Sequence, residues 1–337
     1  MAVNLFIPGG RLEDTLNELA RSGSDTASLY ESKFKNWDKR ASVRVKPERI
    51  LETKLPGQIY FPPELVPALS HPLVTCQPNS VRDRILVQRL YHYLHFTTEL
   101  EEVAVMPVTM SISRGKSGLH LPVAMRQDAL KITTDEAWHA QFSFDLARQV
   151  EETTGVGECL PDEPAFLERL SRVEASLDHD LRGMGRLAFS IVSETLISAI
   201  LADLPRDNRL PDAVRELVQD HAEDEGKHHA YFRSLLEYFW GALTVSERER
   251  IGIWIPELIS AFLEPDYRAV SYTLLDSGFA LEEVEQVLAE SYPAEVVRAD
   301  VAKAARSTTR YFTEIGALES TAVCEAFTDA GLINSQD

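Results

Sequence analysis

The feature that most constrains the fold is the spacing of histidine and glutamate in the acidic segment His221-Ala-Glu-Asp-Glu-Gly-Lys-His228. His221, Glu225 and His228 stand at positions i, i+4 and i+7, so on an α-helix their side chains share one face and converge on one point. Two imidazoles and a carboxylate at one point suit a first-row transition metal. The segment therefore predicts a helix that carries part of a metal site.

A second segment, Glu136-Ala-Trp-His139, repeats the Glu-x-x-His half of this pattern far upstream. Bundles that hold two metals take a Glu-x-x-His from each of two helices and one Glu from each of two others. The two segments together predict an all-α, ferritin-like four-helix bundle, decorated here with additional helices. The competing interpretations are a hydrogen-bonded core histidine for His139 and an exposed acidic helix face for the segment around His221.

Glu194 is the first candidate for an unpaired carboxylate, because every neighbour from Leu187 to Leu201 is apolar or a small hydroxyl residue. A helix that is apolar nearly all round is buried, and a buried carboxylate costs several kcal/mol unless it is compensated. A bound cation removes that cost. A buried arginine partner, or protonation of the carboxyl, is the structural alternative.

The other unpaired carboxylate lies among Glu99, Glu101 and Glu102, on a helix that begins near Val81. The apolar stripe of this helix is too broad to choose among the three, and periodicity gives Glu99 only a slight preference. Taken without the other helices, the three residues would indicate a solvated acidic turn.

Composition limits the classes of partner. The chain has 337 residues, 44% of them hydrophobic and 26% charged, with a formal net charge of −19. This charge argues against nucleic acid or an anionic membrane surface as a partner. Three widely spaced cysteines and no apolar run near the ~20 residues of a membrane span predict a cytoplasmic protein.

Helical periodicity dominates the whole chain, and we expect a single domain with three parts. Residues 1–78 would form short helices and a proline-rich connector, 79–240 the metal-binding core, and 241–337 further helices. A basic stretch between Lys33 and Arg49 is either a solvated surface or a docking patch for an acidic carrier protein or reductase. The core helices are predicted at about 80–106, 121–153, 181–203 and 211–240, with Pro107 ending or kinking the first. A crossover helix is predicted near 164–177, and C-terminal helices are predicted at 246–262, 280–291, 294–312 and 318–330.

Four carboxylates and three imidazoles favour iron or manganese over zinc, which takes fewer ligands. Bridging carboxylates hold two metals about 3.5–4 Å apart, the separation typical of two-metal catalysis. Two Fe(II) ions can together reduce O2, so the site indicates an oxygenase.

The order of these residues resembles the non-haem di-iron N-oxygenases typified by p-aminobenzoate N-oxygenase and the chloramphenicol-pathway arylamine oxygenase. The distinguishing feature is His221, a third imidazole one turn before Glu225-x-x-His228. The local contexts Thr98-Glu99, Asp135-Glu136, Ser193-Glu194-Thr195 and Asp224-Glu225 are similar too. The strong motifs span roughly residues 63–228.

The resemblance implies Glu99 as the first ligand, two iron ions per chain, O2 as co-substrate, an external electron donor and a homodimer. It also implies oxygenation of a primary amine to a hydroxylamine, continuing to nitroso or nitro, in natural-product biosynthesis. The alternatives are a di-iron hydroxylase or desaturase acting on C–H bonds and a ferroxidase-type iron protein. The implied ligand set is Glu99, Glu136, His139, Glu194, His221, Glu225 and His228.

The substrate pocket is predicted near Tyr91 and His95, which lie two turns and one turn before Glu99 on its face. Packing aromatics of the helix are the equal alternative for both. The turns just before Glu99 contain no Arg or Lys that would meet a carboxylate. An uncharged arylamine, an amino-acid-derived amine and a carrier-tethered amine are therefore all compatible with the sequence.

Overall fold

A computed structural model describes residues 30–52, 57–201 and 204–333, and all regular elements within these ranges are helices. The predicted all-α, ferritin-like class is confirmed. Predictions that fall on residues 1–29 lie outside the described part. The helices are α1 Trp37–Arg40, α2 Ser42–Val45, α3 Pro72–Thr75, α4 Asn79–Glu99, α5 Met106–Ser113, α6 Val123–Thr154, α7 Ala165–Ser176, α8 Arg182–Ile200, α9 Asp212–Ala242, α10 Val245–Gly252, α11 Ile255–Leu263, α12 Tyr267–Asp276, α13 Leu281–Ser291, α14 Ala294–Glu314 and α15 Thr321–Asp329.

The four core helices α4, α6, α8 and α9 lie where the periodicity predicts them. The longest, α6, begins after Pro122, whose fixed φ suits a helix start. It ends at Gly155, which adopts a left-handed conformation with φ of 66°. Helix α4 packs against α6, α8 packs against α9, and α6 also contacts α9. All four core helices are thus joined through α6 and α9, which carry the two Glu-x-x-His segments.

The helical run that begins with α4 does not end at Pro107, which excludes one of the two outcomes predicted there. A π-helical turn, Leu100–Val105, follows α4, and the chain then continues as α5 with Pro107 in its first turn. A first-turn proline needs no hydrogen-bonded N–H, so the helical run tolerates it. The π-helical turn contacts both α6 and α8. Single π-helical turns are rare and often found at functional sites.

The end of the N-terminal basic stretch packs onto the bundle, whereas its earlier cations are exposed: Lys33, Lys35, Lys39, Arg40 and Arg44. Helix α2 contacts α6 and α9. Just beyond it, the Lys46 Nζ lies 2.9 Å from Asp220 Oδ1, and Arg49 Nη2 lies 2.6 Å from Asp220 Oδ2. Asp220 is almost fully buried on α9, so these two cations compensate a carboxylate that would otherwise be costly. This part of the stretch therefore holds the N-terminal segment against the metal-binding core.

The C-terminal helices cover the outer side of α8 and the side of α4. Helices α11 and α14 contact α8, and α12 contacts α4. Tyr311 and Phe312 are packing residues: Phe312 lies against Trp240 and Phe327, and the Tyr311 hydroxyl lies 3.0 Å from His229 Nε2. The predicted helix 246–262 is split into α10 and α11, and α12 was not predicted. Among the described helices, none is long and apolar enough to cross a membrane.

Candidate metal centre

Seven buried carboxylate and imidazole residues converge between the core helices. Their potential ligand atoms fall into three overlapping groups, within each of which all atoms lie within 4.8 Å of one another. Two of the groups share His139 and Glu225, so the arrangement is one continuous cluster. The members, hereafter the metal cluster, are Glu101, Glu136, His139, Glu194, His221, Glu225 and His228. None of them is more than 1% exposed.

The two Glu-x-x-His segments face each other across the centre of the cluster. On α6, His139 Nδ1 lies 2.8 Å from Glu136 Oε2; on α9, His228 Nδ1 lies 3.1 Å from Glu225 Oε1. His228 Nδ1 also lies 2.9 Å from Glu136 Oε1, which joins the two helices. Both histidines therefore direct Nδ1 toward the carboxylates. His221 reaches the same carboxylate from one turn away, with Nε2 3.3 Å from Glu225 Oε1.

The charges of the cluster fit bound cations. Neither carboxylate oxygen of Glu101 or of Glu194 accepts a hydrogen bond within the described chain. Burial, reinforced by neighbouring carboxylates, raises the pKa of both residues well above the ordinary value of a glutamate. Oxygen atoms that are buried, unpaired and mutually repelling are stabilised by a metal ion. The mixed oxygen and nitrogen donors suit iron or manganese.

Glu101 occupies the position that was predicted for Glu99, and this is a correction. Glu101 is fully buried, and its Oε1 lies 3.8 Å from His221 Nε2. Glu99 is only partly buried and belongs to none of the three groups. Leu90, Leu94 and Thr97 are buried and precede Glu101 at spacings of three and four residues. Glu101 therefore lies on the same buried face of the helix. Glu99 lies two residues earlier, about 200° around the helix, and points away.

An outer pair of aspartates holds the two histidines crosswise. His228 Nε2 lies 3.3 Å from Asp135 Oδ2, and His139 Nε2 lies 3.5 Å from Asp224 Oδ2. Each aspartate stands immediately before the glutamate of one segment and contacts the histidine of the other. A carboxylate on the second ring nitrogen fixes the tautomer and orientation of a metal-binding histidine. The repeated Asp-Glu-x-x-His spacing is the sequence signal that could have identified these two aspartates, but no function was predicted for them.

The N-terminal segment holds the same aspartates from outside. Trp37 Nε1 donates to Asp135 Oδ1 at 2.7 Å, and the Ser42 backbone N–H donates to Asp224 Oδ2 at 3.0 Å. Burial opposes ionisation of Asp224, but the hydrogen bonds from His139 and Ser42 and the charge of His139 hold its pKa well below its usual range. Residues 37–42 thus close the outer side of the metal cluster.

Replacing Asp135 or Asp224 by asparagine should weaken iron binding about 10- to 100-fold, the usual effect of losing such an outer carboxylate. The fold should persist because the amide keeps the shape of the side chain. Competition with an iron chelator measures the affinity. Asp145→Asn is the matched control, since it removes one charge from α6 at a residue whose side chain accepts a hydrogen bond from Gln141. If all three variants bind iron as tightly as the wild type, Asp135 and Asp224 do not orient the histidines.

A cavity of about 440 Å³ lies against α4, and none of the seven cluster residues lines it. Its α4 wall consists of Arg89, His92, Tyr93 and Phe96, which share one helix face at spacings of three and four residues. Tyr93 also has a raised pKa, because it is buried and because the charges of Glu225 and Glu101 disfavour its ionisation.

The predicted pocket residues Tyr91 and His95 do not line this cavity. The Tyr91 hydroxyl instead donates to the Val156 carbonyl at 2.7 Å. Both positions were chosen as one and two turns before Glu99. Because the cluster carboxylate is Glu101, the corresponding residues are Thr97 and Tyr93, two positions later.

The chain matches known proteins over most of its length. The family model described as p-aminobenzoate N-oxygenase AurF matches residues 24–316, a range that includes the whole metal cluster. A 4-aminobenzoate N-oxygenase from Streptomyces thioluteus is 24% identical over 250 residues, which cover 72% of this chain and 73% of that protein.

Proposed function

The chain belongs to the p-aminobenzoate N-oxygenase AurF family, and on this premise we propose that it oxygenates the nitrogen of a primary arylamine with O2. The single observation that carries the proposal is the buried cluster of four carboxylates and three imidazoles inside the family match. Two iron ions would be held there by Glu101, Glu136, His139, Glu194, His221, Glu225 and His228. When bound, the two ions would supply the electrons that activate O2.

The first oxidation balances with one amine, one O2, two electrons and two protons, and it gives a hydroxylamine and one water. Continuation to the nitroso or nitro level consumes further O2. No group among the described residues would supply the electrons. The proposal therefore includes an electron donor that is separate from this chain. The family resemblance further supports a homodimer and a place in natural-product biosynthesis.

The residues of the chain have three functions in this proposal. The seven cluster side chains bind the metals, and Asp135 and Asp224 orient His228 and His139. The apolar walls of the cavity keep bulk water away from the reacting amine, which strengthens electrostatic interactions in the site.

Anaerobic loading with Fe(II), metal counting and single-turnover reaction with O2 and a panel of arylamines test the proposal. We expect about two irons per chain and a product with a new N–O bond, identified by mass spectrometry with labelled O2. A C–OH or C=C product would instead establish hydroxylase or desaturase chemistry. Iron uptake far above two per chain, without organic product, would establish a ferroxidase.

A further inference from the structure

A half-buried tryptophan is joined to the metal cluster by side-chain hydrogen bonds. Trp37 Nε1 donates to Asp135 Oδ1 at 2.7 Å, and Asp135 Oδ2 lies 3.3 Å from His228 Nε2. The other ring nitrogen of His228, Nδ1, is the one that faces the cluster carboxylates. Three side chains therefore connect the metal-binding edge of the cluster to an indole of the N-terminal segment.

The two hydrogen bonds of this route are shielded from solvent. Asp135 and His228 are fully buried, and Phe34 lies over the histidine, with ring centroids 5.9 Å apart and an angle of 25° between the planes. Hydrogen bonds are electrostatically stronger in such a low-dielectric interior than in water. Trp37, by contrast, keeps part of its surface in contact with solvent. The route thus has a buried end at the metals and an accessible end at Trp37.

Exposed cations lie around the accessible end. The Arg44 guanidinium lies against the Trp37 ring, with Cζ 5.7 Å from its centroid, and Lys39 and Arg40 follow Trp37 in α1. All three cations are exposed, and among the described residues no carboxylate oxygen lies within 4.0 Å of their charged nitrogens. Asp38 is the one acidic residue of α1. Lys39, Arg40 and Arg44, hereafter the basic patch, therefore give this end of the route a positive net charge.

The basic patch is an exception on a chain whose formal net charge is −19. Such a chain repels polyanions with an extended footprint, whereas a local positive patch attracts a small acidic partner to that place. Weak electron-transfer encounters between proteins need only a small interface, which a patch of this size can provide. The proposed oxidation also requires two electrons from outside the chain. The patch therefore favours a small acidic electron carrier over a nucleic acid or a membrane.

We propose that the basic patch docks a small acidic protein that carries one electron at a time, and that its electrons reach the metals through Trp37, Asp135 and His228. The inference rests on the proposed N-oxygenation and adds the class of electron donor and its binding place. Two reduced carriers lose one electron each, and the two Fe(III) ions of the oxidised centre gain one each, with no covalent bond formed or broken in the route. Of the two interpretations of the basic stretch, docking is thus assigned to its exposed part.

Anaerobic reduction of the Fe(III)-loaded protein by reduced plant-type iron–sulfur ferredoxin, an acidic one-electron carrier, tests the docking without any amine. Stopped-flow absorption should give a rate that saturates with ferredoxin, and the half-saturating concentration should rise with salt because ions screen the charges. Lys39→Glu combined with Arg40→Glu should raise that concentration about tenfold or more at low salt and leave the limiting rate unchanged. Lys303→Glu combined with Arg306→Glu is the matched control. It makes the same change of charge on exposed side chains of α14 and should keep the wild-type value.

Trp37→Phe tests the route rather than the docking. Phenylalanine keeps an aromatic ring beside Arg44 but donates no hydrogen bond to Asp135. The variant should lower the limiting rate with ferredoxin and keep the half-saturating concentration. Dithionite, a small reductant that needs no docking surface, is the comparison. Loss of the support that Trp37 gives Asp135 would slow both reductants by the same factor, whereas loss of the route slows ferredoxin more.

Calorimetric titration of the metal-free protein with oxidised ferredoxin measures docking without iron, and Lys39→Glu/Arg40→Glu should weaken this binding by about tenfold as well. The docking is wrong if ferredoxin neither binds nor reduces the wild type, or if the double variant matches its control. The route is wrong if Trp37→Phe slows ferredoxin and dithionite equally or slows neither. Dithionite-reduced protein that forms no N–O product with any amine, although ferredoxin reduces it through the patch, would contradict only the proposed reaction.

Discussion

Glu101→Ala should lose at least one of two bound irons and reduce N-oxygenation by more than the ~100-fold typical of an outer partner, because Glu101 would contact metal directly. Its carboxylate lies in two of the three groups that form the metal cluster and accepts no hydrogen bond from the described chain. Iron counting after anaerobic loading and product yield per chain measure the effect. Glu99→Ala is the matched control and should keep both irons.

The melting temperature of the metal-free forms of the same variants is a second test, and there the change expected for Glu101→Ala is in the opposite direction. In the wild type without metal, Glu101 is repelled by Glu136 and Glu194 in a buried site. Removing it should leave the melting temperature of the metal-free protein unchanged or higher, although it weakens the loaded form. Loss of iron in Glu99→Ala with retention in Glu101→Ala would show that the placement of these two residues is wrong.

The metal-binding segments on α6, α8 and α9 were predictable because regular α-helices obey a fixed period. Glu136, His139, His221, Glu225 and His228 meet because spacings of three, four and seven residues place side chains on one face. Glu194 was predictable from its apolar neighbours, since burial of a charge needs an explanation.

The carboxylate of the first core helix was not predictable in the same way. The chain offers Glu99, Glu101 and Glu102 within four positions, and a π-helical turn begins at Leu100. The apolar stripe that precedes them is broad, so periodicity alone did not single out the carboxylate that lies in the cluster. The error of two positions was then carried to Tyr91 and His95, which were placed relative to Glu99.

Contacts between distant segments could not be predicted from the sequence. Trp37 contacts Asp135, which is 98 positions away in the sequence, and Ser42 contacts Asp224, which is 182 positions away. No local sequence pattern predicts contacts between such distant residues. Patterns predict which face of a helix is buried, whereas the partner across that face is a tertiary property.

Removing the metal should lower the melting temperature of the wild-type protein by about 5 °C for each iron lost, at free iron one hundred times the dissociation constant. Binding to the native state alone contributes about 2.7 kcal/mol under that condition, and each kcal/mol shifts the melting temperature by about 2 °C in a chain of this size. Anaerobic calorimetry of chelator-treated and Fe(II)-loaded protein measures the difference.

Glu194→Ala should reduce this difference in melting temperature and lose at least one iron, because Glu194 is fully buried and would contact the metal directly. Glu102→Ala, which removes an exposed carboxylate beside the cluster, should keep the full difference. If the chelator-treated wild type melts no lower than the loaded protein, the cluster does not bind metal in the native state, and the proposed reaction loses its basis. An unchanged difference in Glu194→Ala alone would remove only this residue from the ligand set.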